Sequence, residues 1–369
     1  MAGAVKSRSV AILSVLSILA TLLSAAPLPA AASSHAVANA AQLAAALGPG
    51  GPAEIEITTS FTLTSPVTIG RNVTIYANGA TAESIEIKAP PNSPAFMVAA
   101  GNTVTLRSFG IWGANDRRAK GGGIAVDSGA TLIVDMMSIH DNFAGEGGGI
   151  YNAGTTTIKN SVFYRNSAAG KGGGISNDGT LNVENSTFAK NDAQQGGAAS
   201  TAGAASFNFV TIVGNSSKNK IGAGTHLTGG SITLSHSIVA NNFSGGSFYD
   251  CSGQTTVDRV LFSSTQGCQP NGDHLTVAAI SFPNSELPMD NGGPTKTVAL
   301  TDQTPGAPFD HPAYAYGTTC LPKDQRGSGR PASACTVGAF EPDFTPPVVV
   351  LTQNPAPNAA GWHGSTVTS

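Results

Sequence analysis

The sequence predicts an all-β protein, a parallel β-helix with coils of about 25 residues, from three regularities. Gly-Gly-Gly-Ile begins at Gly121, Gly147 and Gly172, and a related small-residue opening begins at Gly196 and Gly222. A second glycine recurs after each opening, at Gly129, Gly154, Gly179, Gly203 and Gly229. An Asn follows each opening, at spacings of 24, 25, 24 and 26: Asn142, Asn166, Asn191, Asn215 and Asn241.

The runs between these columns are short and alternate in polarity, as in Thr155–Lys159, Thr180–Glu184 and Ser231–Ser235. A helical repeat needs about ten or more residues with helical periodicity, which these runs lack. Gly or Asn bounds each run and β-branched residues are frequent, which is typical of strands of about four to five residues. One coil can hold three such strands, and successive coils then stack as parallel strands about 4.8 Å apart.

Each column has a predicted structural role. The Asn side chains are expected to form a hydrogen-bonded ladder, because an amide can donate to one coil and accept from the next. The recurring glycines are expected to supply positive φ at corners. Three residues before each Asn, an apolar residue is expected to point into the core: Ile139, Phe163, Phe188, Ile212 and Ile238.

The β-helix domain is predicted to span residues 33–343, with regular coils from about 100 to 250. Residues 40–48 have helical spacing and end in Gly48, so a short amphipathic helix is expected there. Such a helix would cover the open end of the solenoid, which otherwise exposes unpaired strand edges. Residues 251–343 are expected to form a disulfide-stapled C-terminal part.

Residues 1–32 are predicted to be a secretory signal peptide. Lys6 and Arg8 form a positive start, residues 10–23 are almost all apolar, and Ala30-Ala31-Ala32 is a small-residue cleavage site. The apolar run is shorter than a spanning helix requires, and no later run is longer. The mature chain is therefore expected to be secreted or to reach the cell surface without a membrane span.

An exported chain makes disulfide bonds the expected state of the four cysteines. Cys251 and Cys268 are 17 residues apart, and Cys320 and Cys335 are 15 apart. Two local loops are the simplest of the three pairings that four cysteines allow. Metal-site spacing is absent around them and the His residues are scattered, so neither a metal nor another cofactor is expected.

Several motifs resemble those of known bacterial families. The segment from Gly147 to Asn166 is similar to repeats of secreted bacterial β-helix proteins and of polymorphic outer membrane proteins. The stretches 290–300, 324–331 and 335–341 resemble the choice-of-anchor Q family. That resemblance, over about residues 40–343, implies a right-handed parallel β-helix, export and a surface-sorting signal, but no single activity.

Some positions depart from that family pattern or have a structural interpretation. Thr336 stands where the family usually has Asp, and residues 304–310 diverge, which argues against polar roles there. Asp324 and Arg326 belong to the matching motif and are expected to form a buried ion pair that locks the C-terminal cap. Residues 344–369 resemble a linker and the truncated start of an Ig-like domain, whose complete sandwich needs about seven strands.

No catalytic residue is assigned, although three residues are candidates if the protein is an enzyme. A glycosidase needs two carboxylates about 5 to 9.5 Å apart. Asp127 and Asp178 are predicted to share a column with Ala153 between them, two coils or about 9.6 Å apart. Both also precede corner glycines, where Asp is an ordinary turn residue. Arg117, in a predicted loop, is a candidate contact for an acidic sugar or a candidate lyase base.

The net charge of −3, with only 11% charged residues, argues against nucleic acid as a partner. The leading interpretation is a monomeric exported protein that acts in adhesion or binds carbohydrate or a host or envelope surface. A polysaccharide lyase or glycoside hydrolase is the first alternative, and a passive stalk that displays a C-terminal domain is the second. Uniform columns and few carboxylates favour the binding interpretation.

Overall fold

The structure is a computed structural model that describes residues 35–277, 280–300, 313 and 316–342. The predicted signal peptide (1–32), the divergent stretch 304–310 and residues 344–369, which are predicted to be a linker and the start of an Ig-like domain, lie outside these residues. The described chain is a solenoid of parallel strands, which confirms the predicted fold class. None of its helices is long and apolar enough to cross a membrane.

Each coil has up to four strands, and equivalent strands stack to form four faces. The long-strand face consists of Glu54–Ile57, Val73–Ala77, Thr103–Arg107, Thr131–Asp135, Thr155–Lys159, Thr180–Glu184, Ala204–Asn208 and Ser231–Ser235. The short-strand face follows it: Phe61–Thr62, Glu86–Lys88, Gly110–Trp112, Ser138–His140, Val162–Tyr164, Thr187–Ala189, Thr211–Val213 and Ile238–Ala240.

The third face begins beside the Asn column: Asn115–Lys120, Phe143–Glu146, Ser167–Ala168, Asp192–Ala193, Ser216–Ser217, Phe243–Ser244 and the antiparallel Ser247–Phe248. The fourth face follows the glycine openings: Val67–Ile69, Phe96–Val98, Ile124–Val126, Ile150–Asn152, Ile175–Asn177, Ala199–Thr201 and Thr225–Leu227. Two longer strands, Cys251–Phe262 and Cys268–Thr276, continue the stack at its C-terminal end.

The N-terminal end carries a strand, His35–Val37, and the predicted helix, α1 (Ala40–Ala46). The side chain of Asn39 caps α1 by accepting a hydrogen bond from the backbone N–H of Gln42. Leu43 is buried and belongs to the solenoid core. Elsewhere in the described residues, short 3₁₀ helices occur at Ala82–Ser84 and Pro283–Glu286.

Inward side chains repeat from coil to coil. In the short strands, Ile139, Phe163, Phe188 and Ile212 are register partners and are fully buried. The rings of Phe163 and Phe188 stack with centroids 4.7 Å apart. The next partner is Val239, so the prediction for Ile238 is wrong by one residue.

The Asn ladder forms as predicted for Asn142, Asn166, Asn191 and Asn215, all buried. Each member donates from its backbone N–H and from Nδ2 to Oδ1 of the next member, at 2.9 to 3.3 Å. Beyond Asn215 the acceptor is Asn242, so the assignment of Asn241 to the ladder is wrong.

The ladder shifts by one residue because the turn before the strand Ser231–Ser235 has one more residue than its counterpart before Ala204–Asn208. Asn241 instead joins a corner column in the left-handed region, with a φ of 53°. Asp250 ends the ladder, because its carboxylate accepts from Asn242, Ser263 and Ser264.

The predicted role of the recurring glycines is wrong for most of them. Gly129 has positive φ, but Gly154, Gly179 and Gly203 lie outside the left-handed region. Glycine is needed there because a Cβ on Gly179 would collide with the carbonyl oxygen of Gly154, one coil away. Positive φ occurs instead at the first glycine of each opening, such as Gly147 (φ 64°).

The C-terminal strap, defined as the described residues from 280 to 342, packs against the short-strand face. Apolar side chains of both join in one cluster that includes Val162, Val213 and Ile238 from the solenoid and Val298 and Val337 from the strap. The strap therefore covers this face from the strand Val162–Tyr164 onwards.

Buried ion pairs hold the strap together. Arg326 and Asp324 form the predicted pair at 2.7 Å, with no exposure of the Asp324 side chain. Arg330 pairs with Glu341 at 2.8 Å. Thr336 is buried and its hydroxyl donates to Glu341, so the expectation that it has no polar role is wrong.

Both disulfide bonds follow the simplest predicted pairing, Cys251–Cys268 and Cys320–Cys335. The first joins the last two coils of the solenoid, and the second closes a loop within the strap.

Candidate functional site

The long-strand face is a flat polar surface. Its outward side chains form three columns in register from coil to coil, and two of these columns carry no charge. One column is Thr103, Thr131, Thr155, Thr180, Ala204 and Ser231, and the other is Thr105, Ile133, Thr157, Asn182, Ser206 and Thr233. All are exposed or half-buried, in contrast to the alternate residues of the same strands, which are in the core.

Charges lie along one edge of this face. The last residues of four consecutive long strands are Arg107, Asp135, Lys159 and Glu184. Lys159 and Glu184 pair at 3.5 Å across adjacent coils. An exposed pair of this kind contributes less than about 1 kcal/mol to stability, so it leaves both groups able to take other partners.

A cleft of about 410 Å³ opens at the same edge, between the solenoid and residues 321–327 of the strap. Its solenoid wall includes Lys159, Glu184 and Asn185, and its strap wall includes Lys323 and Arg326. The volume lies in the range of about 300–1,000 Å³ that is usual for ligand pockets. The cleft therefore offers a concave site at the border of the flat face.

One polar atom in the cleft wall has no partner within the described structure. Asn185 is only 6% exposed, and its Nδ2 donates to the carbonyl oxygen of Lys323 at 2.9 Å. Its Oδ1 is buried and accepts no hydrogen bond from any described residue. A buried acceptor without a donor is costly, so the Asn185 amide is an unsatisfied polar group beneath the cleft wall.

A second polar cluster surrounds His140, a buried residue of the short-strand face. His140 Nε2 lies 2.9 Å from Glu86 Oε1, and Nδ1 lies 2.9 Å from Asp141 Oδ2. Burial alone would lower the pKa of His140, but the two carboxylates outweigh burial and raise the pKa above its ordinary value. The imidazole ring fills the gap between the carboxylates, so they cannot act across a water or a sugar as a glycosidase pair does.

Glu83 connects this cluster to the strap. Its carboxylate accepts from Ser138 and Tyr164 and pairs with Lys296 of the strap at 2.5 Å. Burial would raise the pKa of Glu83, but these partners lower it overall. Burial and Glu83 together raise the pKa of Tyr164, so its hydroxyl remains protonated.

The pocket beside Glu83 has a volume of only about 160 Å³, below the range usual for ligand sites. The His140 cluster is therefore best understood as a buried polar network that fastens the strap and the 3₁₀ helix Ala82–Ser84 to the solenoid.

The three catalytic candidates from the sequence do not form one site. The register places Asp127, Ala153 and Asp178 one residue after paired fourth-face strands, as predicted. Asp178 accepts from the Tyr151 hydroxyl at 2.7 Å. Arg117 is on the third face in the strand Asn115–Lys120, so the prediction of a loop there is wrong.

The group around Asp178 is a surface network. Tyr151 also accepts from Lys120 at 3.0 Å, and Lys171 lies 4.0 Å from both Glu146 and Asp178. Burial and the neighbouring Asp178 raise the pKa of Tyr151. The polar side chains of this network form hydrogen bonds or ion pairs with one another. Such cross-strand pairs are typical of surface stabilisation between neighbouring coils.

Sequence reasoning missed the cleft, the His140 cluster and a second amide ladder, in which Asn152 donates to Asn177 and Asn177 donates to Thr201. The second ladder had a detectable signal, because Asn152 and Asn177 are 25 residues apart. The cleft had none, because its two walls are far apart in the chain. Among the described residues, no group of three or more His, Cys, Asp or Glu side chains has the arrangement of a metal site.

Comparison with family models supports this fold. A family model described as "Right handed beta helix region" matches residues 95–262. No curated protein matches the chain. The matched residues include the regular coils, the Asn ladder and most of the long-strand face. From residue 95 to residue 262, the chain is therefore a right-handed parallel β-helix.

Proposed function

We propose that this is an exported surface protein that binds carbohydrate through its long-strand face. The observation that carries the proposal is the contrast between two faces of one solenoid. The strap covers the short-strand face with apolar and ionic contacts, whereas the long-strand face stays open and polar. Export itself rests on the predicted signal peptide and on the resemblance to the choice-of-anchor Q family.

The chemistry of the open face suits a polysaccharide. Hydroxyl and amide groups recur about every 4.8 Å from coil to coil and about every 6.6 Å along each strand. A sugar polymer also presents hydroxyl groups at regular intervals, so many weak hydrogen bonds can form along its length. The two uncharged columns offer hydroxyl and amide groups, so recognition by these columns depends on the hydroxyl groups of the sugar.

The geometry favours binding over turnover. Hydrolysis of a glycosidic bond needs two carboxylates that face each other across an open gap. Asp178 is held by Tyr151, and the carboxylates of Glu86 and Asp141 are separated by the ring of His140. The two uncharged columns of the long-strand face carry only hydroxyl, amide and apolar groups, and in the third column Lys159 lies between Asp135 and Glu184.

The test is binding of the purified protein to pectate, alginate, mannan and cellulose, measured by affinity electrophoresis and isothermal titration. The double variant Thr157→Val and Asn182→Leu removes two hydrogen-bonding groups from the centre of the face. Loss of two bonds of roughly 1 kcal/mol each predicts binding weaker by about tenfold or more. Thr68→Val, an exposed threonine on the fourth face, is the matched control and should bind normally.

Three results would contradict the proposal. Absence of binding to every polysaccharide would favour a stalk that displays another domain. New reducing ends or unsaturated sugars would favour a hydrolase or a lyase. Equal binding by the double variant and the wild type would move the site away from the long-strand face.

A further inference from the structure

His236 is a buried histidine in the contact between the solenoid and the C-terminal strap. Its ring stacks on Phe209 of the preceding coil, with centroids 4.8 Å apart and an interplanar angle of 8°. Its backbone carbonyl oxygen accepts a hydrogen bond from the N–H of Gly338 in the strap at 2.7 Å. Gly317 of the strap lies beside the ring, because a Cβ added to this glycine would be 3.5 Å from Cδ2 of His236.

The ring of His236 has no hydrogen-bond partner among the described residues, and both Nδ1 and Nε2 are buried. A neutral imidazole carries one N–H group, and an unpaired buried donor is costly. Phe209 occupies the equivalent corner one coil earlier, with a φ of 54° against 47° for His236. An apolar ring would therefore fit this corner at no such cost. What histidine adds is the ability to take up a proton near neutral pH.

The surroundings of His236 favour its neutral form. Burial is the largest effect, and the guanidinium groups of Arg259 in the next coil and of Arg330 in the strap add to it. Arg330 is itself buried and pairs with Glu341. Asp258 has the opposite effect on the ring, but its side chain is 58% exposed and lies 3.9 Å from Arg259. The pKa of His236 is therefore below its ordinary value.

We propose that His236 is a pH sensor whose protonation loosens residues 316–338 of the strap from the short-strand face. A protonated ring would be a buried cation beside two guanidinium groups, with no acceptor for its N–H groups among the described residues. Phe209 is held in the stacked coils, so the strap is the part that can move away and admit water. Its departure would uncover apolar side chains such as Val213 and Ile238. At His140 two carboxylates favour the charged ring, so acid has the opposite effect there.

Hydrogen exchange followed by mass spectrometry between pH 5 and 7.5 tests this sensor, with each rate corrected for the intrinsic effect of pH. The stabilising effect of the neutral ring is complete above the ordinary pKa of about 6.5 and is lost as pH falls below it. Opening that takes up one proton becomes more favourable by up to about tenfold per pH unit in that range. Protection of residues 316–338 should fall accordingly, while protection of the strand Thr155–Lys159 should not change with pH.

Two variants isolate the ring. His236→Phe keeps the stacking on Phe209 but cannot be protonated, so protection of residues 316–338 should no longer depend on pH. His35→Gln, which replaces an exposed histidine at the N-terminal end, is the matched control and should behave as the wild type does. If His236→Phe does not fold, His236→Asn is the second variant, because Asn tolerates the left-handed backbone and carries no charge.

The contrary results are distinct. If the wild type shows the same protection of residues 316–338 at pH 5 and pH 7.5, the sensor does not exist. If the loss of protection persists in the variant of His236, another group takes up the proton. If the strand Thr155–Lys159 loses protection in parallel with the strap, acid unfolds the whole solenoid, and the selective release of the strap is refuted.

Discussion

Replacing Asn191 by Ala tests the most regular feature of the structure, the buried Asn ladder. Asn191 Oδ1 accepts from the backbone N–H and Nδ2 of Asn166, and its own Nδ2 donates to the carbonyl oxygen of Phe163 at 3.0 Å. In the variant, the Asn166 N–H and the Phe163 carbonyl lose side-chain partners inside the core. Each unsatisfied buried group costs about 1–3 kcal/mol, so the free energy of unfolding should fall by about 2–4 kcal/mol.

The assay is urea unfolding followed by far-UV circular dichroism, with linear extrapolation to water. Asn182→Ala, in the same coil but exposed, is the control and should change the free energy by less than about 0.5 kcal/mol. Asn242→Ala should cost about as much as Asn191→Ala, whereas Asn241→Gly should cost clearly less. If Asn191→Ala matches the exposed control, or Asn241→Gly is as costly as Asn242→Ala, the account of the ladder is refuted.

Three further predictions concern the strap and its contacts. Folding raises the pKa of His140, so the charged imidazole stabilises the folded state. This contribution is fully present below about pH 6.5 and is lost as pH rises through the folded-state pKa. The difference in melting temperature between wild type and His140→Gln should therefore shrink above that pH, and a constant difference from pH 5 to 9 would contradict this. Removing the Cys320–Cys335 bond with two serines should cost about 3 kcal/mol, the value for a loop of this length, measured by urea unfolding; no loss would mean that packing alone closes the loop. Arg330→Met should leave the buried Glu341 carboxylate without its ion-pair partner and destabilise the strap by about 3–5 kcal/mol, seen as faster proteolysis of the strap than of the solenoid; uniform cleavage kinetics would be the contrary result.

The repeat made most of the solenoid predictable, because stacking imposes one environment on each column. The two errors in the columns, Asn241 and Ile238, share a local cause. Spacing from the glycine opening locates the Asn only when every turn has the same length, and the turn at residues 228–230 is one residue longer. The pairing of register partners, not the count from the opening, decides which side chain is inside.

The polar sites were less predictable because their partners come from distant parts of the chain. Glu83 meets Tyr164 across 81 residues, and Asn185 meets Lys323 across 138. Periodicity describes contacts between neighbouring coils but contains no information about where a non-repeating segment returns. The motif around Asp324 did predict a buried ion pair, since the local sequence supplies both charges.

The Asn ladder is directional, and this has a consequence for the length of the protein. Every member donates towards the C-terminal end and accepts from the N-terminal side, so any internal member can follow any other. Asp250 cannot be an internal member in its charged form, because a carboxylate has no N–H to pass on. An extra coil of 24 or 25 residues placed between Asn166 and Asn215 would therefore meet matching donors and acceptors on both sides. Each such insertion would lengthen the open face by about 4.8 Å. The length of the ladder can thus change in fixed increments, provided that the strap, which contacts coils on both sides of such an insertion, lengthens with it.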